Sequence, residues 1–187
     1  MQLPENAVHA PPFAVIVMGV SGSGKSTFGA ALAARLRCSF LEGDDLHSAA
    51  NVAKMRSGHP LEDADRWPWL DRVAAELRDA ATHDGTAIAA CSALKRVYRD
   101  RLTLAVGMPL FFVFLDVPDH DELTRRLVHR PGHYMPPSLL DSQLAVLERP
   151  GADERAITLD AQQPIDRSCT LALDWIVGAG SAKAEPV

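Results

Sequence analysis

Residues 19–26 read Gly19-Val20-Ser21-Gly22-Ser23-Gly24-Lys25-Ser26, the pattern G-x-x-x-x-G-K-S. They follow the apolar run Phe13–Met18 and precede a helix-patterned stretch. A strand, a glycine-rich turn and a helix in that order form a phosphate cradle, because the glycines let successive backbone N–H groups turn inward toward phosphate oxygens. Lys25 can reach the β/γ-phosphates, and the Ser26 hydroxyl can ligate Mg²⁺. With Thr27 at the start of the helix, the candidate nucleotide-binding set is Gly19, Val20, Ser21, Gly22, Ser23, Gly24, Lys25, Ser26 and Thr27. These residues point to a bound nucleoside triphosphate.

A cradle alone names no reaction. Guanine-specific switches carry Asn-Lys-x-Asp and Asp-x-x-Gly, and neither occurs here. An acid does follow the second apolar run, in Leu41-Glu42-Gly43-Asp44-Asp45-Leu46-His47. Groups just beyond the carboxyl ends of parallel strands face the ligand crevice, so Asp44 can accept the proton of an attacking hydroxyl. Asp45 and His47 read equally as ligand contacts or solvated cap residues. Strand 86–91 runs into Ser92 rather than an acid; strand 110–116 ends in Asp116, whose simpler reading is a strand-end cap.

The segment from Lys54 to Leu70 packs charges of both signs beside Trp67, Trp69, Pro60 and Pro68. Arg66 can form a bidentate pair with a substrate carboxylate. Its alternative is an internal pair with Asp63 or Asp65. The tryptophans read as core or pocket wall. The stretch 125–136 is basic in an otherwise acidic chain and breaks at Pro131-Gly132. It reads as a mobile lid in which Arg126 and Arg130, at i and i+4, neutralise a transferred phosphoryl and help exclude water.

The elements that must position these groups alternate along the chain. Strand-like runs are expected at 13–18, about 38–42, 86–91, 110–116 and 155–160. Runs apolar on both faces imply a parallel sheet covered by helices. Helical patterns fall at 27–37, about 48–57, 67–82, 93–105, 119–129, 137–147 and 165–177. Residues 1–12 read as a loose leader, 13–177 as one domain with its lid at about 125–140, and 178–187 as a frayed tail.

The 187 residues suit one core, and 47% apolar with 23% charged residues is ordinary for a globular protein. A net charge of −5 argues against a polynucleotide partner. Three scattered cysteines, Cys38, Cys91 and Cys169, suit a reducing compartment. No signal segment stands out, and no apolar run approaches the roughly 20 residues of a membrane span. The expected location is the cytoplasm, with no membrane partner.

Taken together, these blocks resemble the gluconokinase family of shikimate-kinase-like P-loop kinases. Among the motifs that carry it are Gly58-His59-Pro60-Leu61, Asp65-Arg66-Trp67-Pro68-Trp69-Leu70, Cys91-Ser92-Ala93-Leu94-Lys95, Tyr98-Arg99-Asp100 and Arg130-Pro131-Gly132-His133-Tyr134-Met135, the runs from Pro60 to Leu70 and from Cys91 to Asp100 being the selective ones. The resemblance implies an α/β fold, a P-loop three-layer αβα sandwich on a five-stranded parallel sheet. It also implies transfer of the ATP γ-phosphoryl to the 6-hydroxyl of D-gluconate, with Mg²⁺ as cofactor and ATP and gluconate as partners. On that pattern the catalytic set is Lys25, Asp44, Arg126 and Arg130. The substrate set is Asp44, His47, Lys54, Arg66, Ser92, Lys95 and His133, and Ser26 is the metal residue. A homodimer is a permitted assembly. Two departures stand out: Glu62 replaces the family's usual Asn, and Thr103 stands where Arg is usual. Two alternatives stay open: a related kinase for another small hydroxy acid or a nucleoside, and a non-catalytic nucleotide-binding regulator.

Overall fold

Strand β1, Phe13–Met18, is apolar throughout and lies at the centre of the sheet, so both its faces need cover. The computed structural model describes residues 11–128 and 139–181. Its chain runs β1, α1 (Lys25–Leu36), β2 (Ser39–Glu42), a 3₁₀ turn (Gly43–Leu46), α2 (Ala49–Arg56) and α3 (Asp63–Asp84). It continues with β3 (Thr86–Ala90), α4 (Arg96–Val106), β4 (Leu110–Asp116), α5 (His120–Val128), α6 (Leu140–Ala145), β5 (Ala156–Asp160) and α7 (Ile165–Ser181).

The five strands are ordered β2-β3-β1-β4-β5 and every pairing is parallel. Val17 of β1 stands opposite Ala90 of β3 on one side and Val113 of β4 on the other. Alternation along β1 splits the core in two. Ala14, Ile16 and Met18 pack with Leu70, Val73 and Leu77 of α3 and with Tyr98, Leu102 and Val106 of α4. Val15 and Val17 face Phe28 and Leu32 of α1 and Cys169, Ala172 and Ile176 of α7. The result is the expected three-layer αβα sandwich.

Several boundaries differ from the sequence expectation: α1 starts at Lys25 rather than 27, and α4 at Arg96 rather than 93. Helix α3 begins at Asp63, ahead of its apolar stripe, because Glu62 caps it. The Glu62 side chain accepts the Asp65 N–H, and the Asp65 carboxylate accepts the Glu62 N–H at 2.8 Å. Helix α7 runs to Ser181, so the tail expected from 178 is helical over its first residues. Helix α6 is shorter than the pattern at 137–147. Most of the expected lid, including Arg130 and His133, lies outside the described residues, as does the leader up to residue 10. Among the described residues, no helix is long and apolar enough to cross a membrane.

Candidate active site

The sheet delivers β1 and β3 side by side, so the loops at their carboxyl ends meet. The loop after β1 is the phosphate cradle. Gly19 has φ +142°, and a Cβ there would lie 2.9 Å from the Leu115 carbonyl oxygen, so only glycine fits the turn. Helix α1 starts at Lys25 on Gly24, itself at φ 94°. Ser23 Oγ is buried without a hydrogen-bond partner among the described residues, a polar atom set inside the cradle. Lys25 Nζ donates to the Val20 carbonyl at 3.0 Å.

Beyond β2 the chain turns through Gly43. A Cβ at Gly43 would sit 2.3 Å from the Ala90 carbonyl oxygen, so glycine lets this turn lie directly against β3. The buried Trp69 indole N–H clamps the turn by donating to the Gly43 carbonyl at 2.7 Å. Asp44 therefore emerges beside the cradle. Ser21, Lys25, Asp44, His47, Arg66 and Ser92, six of the expected site residues, line one cleft. Helix α6 closes it: Gln143 Oε1 accepts the Ser21 N–H at 2.7 Å, and Leu139 and Ser142 fill the mouth. The free volume left is about 20 Å³, room for about one water molecule.

The His47 ring stacks on Trp69 at 4.3 Å between centroids. Burial pushes its imidazole down to about 4, Arg66 and Arg72 act in the same direction, and Asp44 opposes them. His47 is thus neutral near pH 7 and offers one donor and one acceptor rather than a charge. The unfolded chain takes up this proton near 6.5 and the folded chain only near 4. Stability is accordingly full above pH 6.5 and falls as pH drops toward 4. Urea unfolding from pH 7 to 4.5 should show wild type losing on the order of 2 kcal/mol more than His47→Gln, after allowance for the ring's partial exposure. Superimposable pH profiles would contradict this.

Lys54 and Lys95, expected at the substrate, each pair with a carboxylate of α3. Lys54 Nζ donates to Asp65 Oδ2 and Lys95 Nζ to Asp63 Oδ1, each at 2.7 Å. The lysines reach carboxylates on the neighbouring helix, and neither lines the cleft. The alternative reading of Arg66, a pair with Asp63 or Asp65, is likewise not realised: Arg66 makes no ion pair within 4.0 Å among the described residues. Its Nη2 donates to the Leu61 carbonyl at 3.4 Å, and its guanidinium carbon lies 5.8 Å from the Tyr98 ring centroid.

Arg126 also lies apart from the cleft. It pairs with Glu122 at 2.6 Å and lines a second cavity of about 330 Å³ on the other side of the cradle, with Gly22, Gly24 and Thr27. Ala161, Gln163, Ile165 and Ser168 complete that wall. Sequence reasoning missed them, because the turn after β5 and the first turn of α7 carry no motif of their own. Gln163 Oε1 is the other buried side-chain atom without a partner among the described residues.

Asp116 is a strand-end anchor. Arg149 grips both its carboxylate oxygens, at 2.5 and 2.9 Å. Glu62, the first departure from the family pattern, is exposed and caps α3. Thr103, the second, donates to the Arg99 carbonyl. Burial pushes the Cys91 thiol up to about 12, so it is a packing group.

Comparison with known proteins agrees with this geometry. A family model described as an AAA domain matches residues 15–150. The gluconokinase of Gluconobacter oxydans is 47% identical over 162 residues, covering 87% of this chain and 90% of that protein. A crystal structure of a gluconokinase from Sinorhizobium meliloti superposes with TM-score 0.79 at 42% identity, over 91% of this chain and 95% of that one. A sugar kinase from Janibacter sp. gives TM-score 0.81 at 42% identity, over 94% of this chain and 100% of that one. With a nucleotide cradle, an acid and an arginine brought together on this sheet, and with relatives this similar over most of its length, the chain belongs to the gluconokinase family of P-loop kinases.

Proposed function

We propose that this protein is an ATP-dependent gluconokinase, transferring the γ-phosphoryl of ATP to the 6-hydroxyl of D-gluconate to give 6-phospho-D-gluconate and ADP. The observation that carries the reading is the convergence of Lys25, Asp44, Arg66 and Ser92 on one cleft beside the cradle. Asp44 takes the proton of the 6-hydroxyl as its oxygen bonds to the γ-phosphorus and the bond to the β,γ-bridging oxygen breaks. Lys25 and the cradle N–H groups hold the charge that develops on the phosphates. Arg66 receives the gluconate carboxylate, with Ser92 and neutral His47 meeting sugar hydroxyls. A six-carbon acid cannot enter the space left by Gln143, so binding requires α6 to move away from Ser21.

The adenosine end of ATP occupies the second cavity, and Arg126, with Arg130 and His133 of the lid, completes the closed site. Mg²⁺ suits the donors present. Among the described residues no group of three or more His, Cys, Asp or Glu side chains could hold a metal ion. Mg²⁺ is commonly held by one or two protein oxygens plus phosphates and waters, and Ser26 would supply that oxygen. When bound, the ion would neutralise phosphate charge. This reading places the enzyme in the cytoplasm, with no nucleic acid or membrane partner, and it permits a homodimer.

The test is ADP release from purified protein with Mg·ATP across gluconate, other sugar acids, shikimate and nucleosides. Gluconate should be turned over well above the rest. Equal or absent turnover with gluconate would overturn the reading, and no ADP from any acceptor would favour a nucleotide-binding regulator.

A further inference from the structure

Arg66 sits in the first turn of α3 with Asp63 three residues before it and Asp65 immediately before it. Arginine and a carboxylate at i and i−3 on a helix normally pair, and an arginine fork favours such a partner. Here neither pair forms. Asp63 Oδ1 is taken by Lys95 Nζ at 2.7 Å and by the Tyr98 hydroxyl at 2.5 Å. Asp65 Oδ2 is taken by Lys54 Nζ at 2.7 Å and by the Glu62 N–H at 2.8 Å. The two lysines come from separate segments, α2 and the residue before α4. The Tyr98 ring that packs near the Arg66 guanidinium also lies 5.5 Å from Lys95 Nζ.

We propose that Lys54 and Lys95 are positioning residues that occupy the two carboxylates just before Arg66, so that Arg66 forms no ion pair with either and presents its charge to the acceptor's carboxylate. The idea rests on the reading of Arg66 as the acceptor-carboxylate site. Hydrogen bonds from Lys95 to Asp63, and from Lys54 to Asp65, hold both carboxyls below the usual carboxylate range. Both are therefore ionised at neutral pH, and either would capture Arg66 if its lysine were lost. The local charge facing an anionic acceptor would then fall from one net positive to none. A lysine on each carboxylate thus separates structural charge from binding charge within one helical turn.

The Lys95 arm gives the cleaner test, because Asp65 also caps α3. Steady-state kinetics with Mg·ATP and titrated gluconate should show Lys95→Met raising the gluconate KM about tenfold, the size of one competing charge contact. kcat should stay within about threefold and the ATP KM should be unchanged. Lys95→Arg, which keeps the charge, should recover most of that loss. In the Asp63→Asn background, where no carboxylate is left to capture Arg66, Lys95→Met should raise the KM no more than about twofold. A tenfold effect that persists in that background would show Lys95 touching the acceptor itself and would overturn the inference, as would a Lys95→Met variant of unchanged KM. Arg66→Met tests the underlying reading separately: it should raise the gluconate KM by more than Lys95→Met does. An unchanged KM there would remove Arg66 from the acceptor site altogether.

Discussion

Asp44→Asn should lower kcat by about 10³-fold, within the range lost when a positioned general base is removed, while the KM for ATP changes little. The substitution keeps the shape and reach of the side chain and removes its charge and its capacity to take a proton. The site is built to make that loss specific. Gly43 is pressed against the Ala90 carbonyl, and the Trp69 indole holds the Gly43 carbonyl, so the turn that carries Asp44 has little freedom to adjust. The cradle runs from Gly19 to Ser26 on separate backbone, so nucleotide affinity should survive. Single-turnover kinetics with saturating gluconate isolates the chemical step. An Asp44→Asn enzyme of near-normal rate would remove Asp44 from the role of base and leave positioning by the cradle as the main source of catalysis.

The second large effect is on folding. Arg99→Met should destabilise the protein by about 3–5 kcal/mol, the cost of leaving one partner of a buried ion pair behind. Arg99 is 1% exposed and Glu154 is 8% exposed. Their contact is bidentate, at 2.5 and 2.9 Å, and Arg99 Nη1 also donates to the carbonyls of Ala93, Leu94 and Glu148. Methionine would fill part of the space but leave the Glu154 carboxylate with the Gly151 N–H and no cation, and it would take a donor from three carbonyls, of which Leu94 keeps the Glu148 N–H. For a chain of this size the loss lowers Tm by about 10 °C, and urea unfolding measures it directly. Replacing both partners, as in Arg99→Met with Glu154→Leu, should recover more than half of the loss, because no unpaired charge remains. Ala93 has φ +41°, an unusual conformation for a residue with a side chain, and Arg99 binds its carbonyl. The single variant should therefore also loosen Ser92 and raise the gluconate KM. A single variant within about 1 kcal/mol of wild type would show that the pair contributes little.

Much of this arrangement was legible in the chain before folding was considered. The five strands are short apolar runs whose burial on both faces is written in their composition, and they fall close to where periodicity places them. Asp44 was legible because a carboxylate just past a parallel strand has few other places to point. Helix α3 began earlier than its apolar stripe because its start is set by a polar exchange between Glu62 and Asp65, which a count of apolar positions does not register.

Local sequence therefore determined the strands, the cradle and the acid that faces it, since these follow from backbone geometry and apolar period over a few residues. Tertiary structure alone decided which charges remain available. Lys95 meets Asp63 across 32 positions and Arg99 meets Glu154 across 55. Ion pairs depend on distances through space that no spacing along the chain encodes. Two lysines that the resemblance places at the substrate are paired with carboxylates, and the arginine that follows those carboxylates lines the cleft.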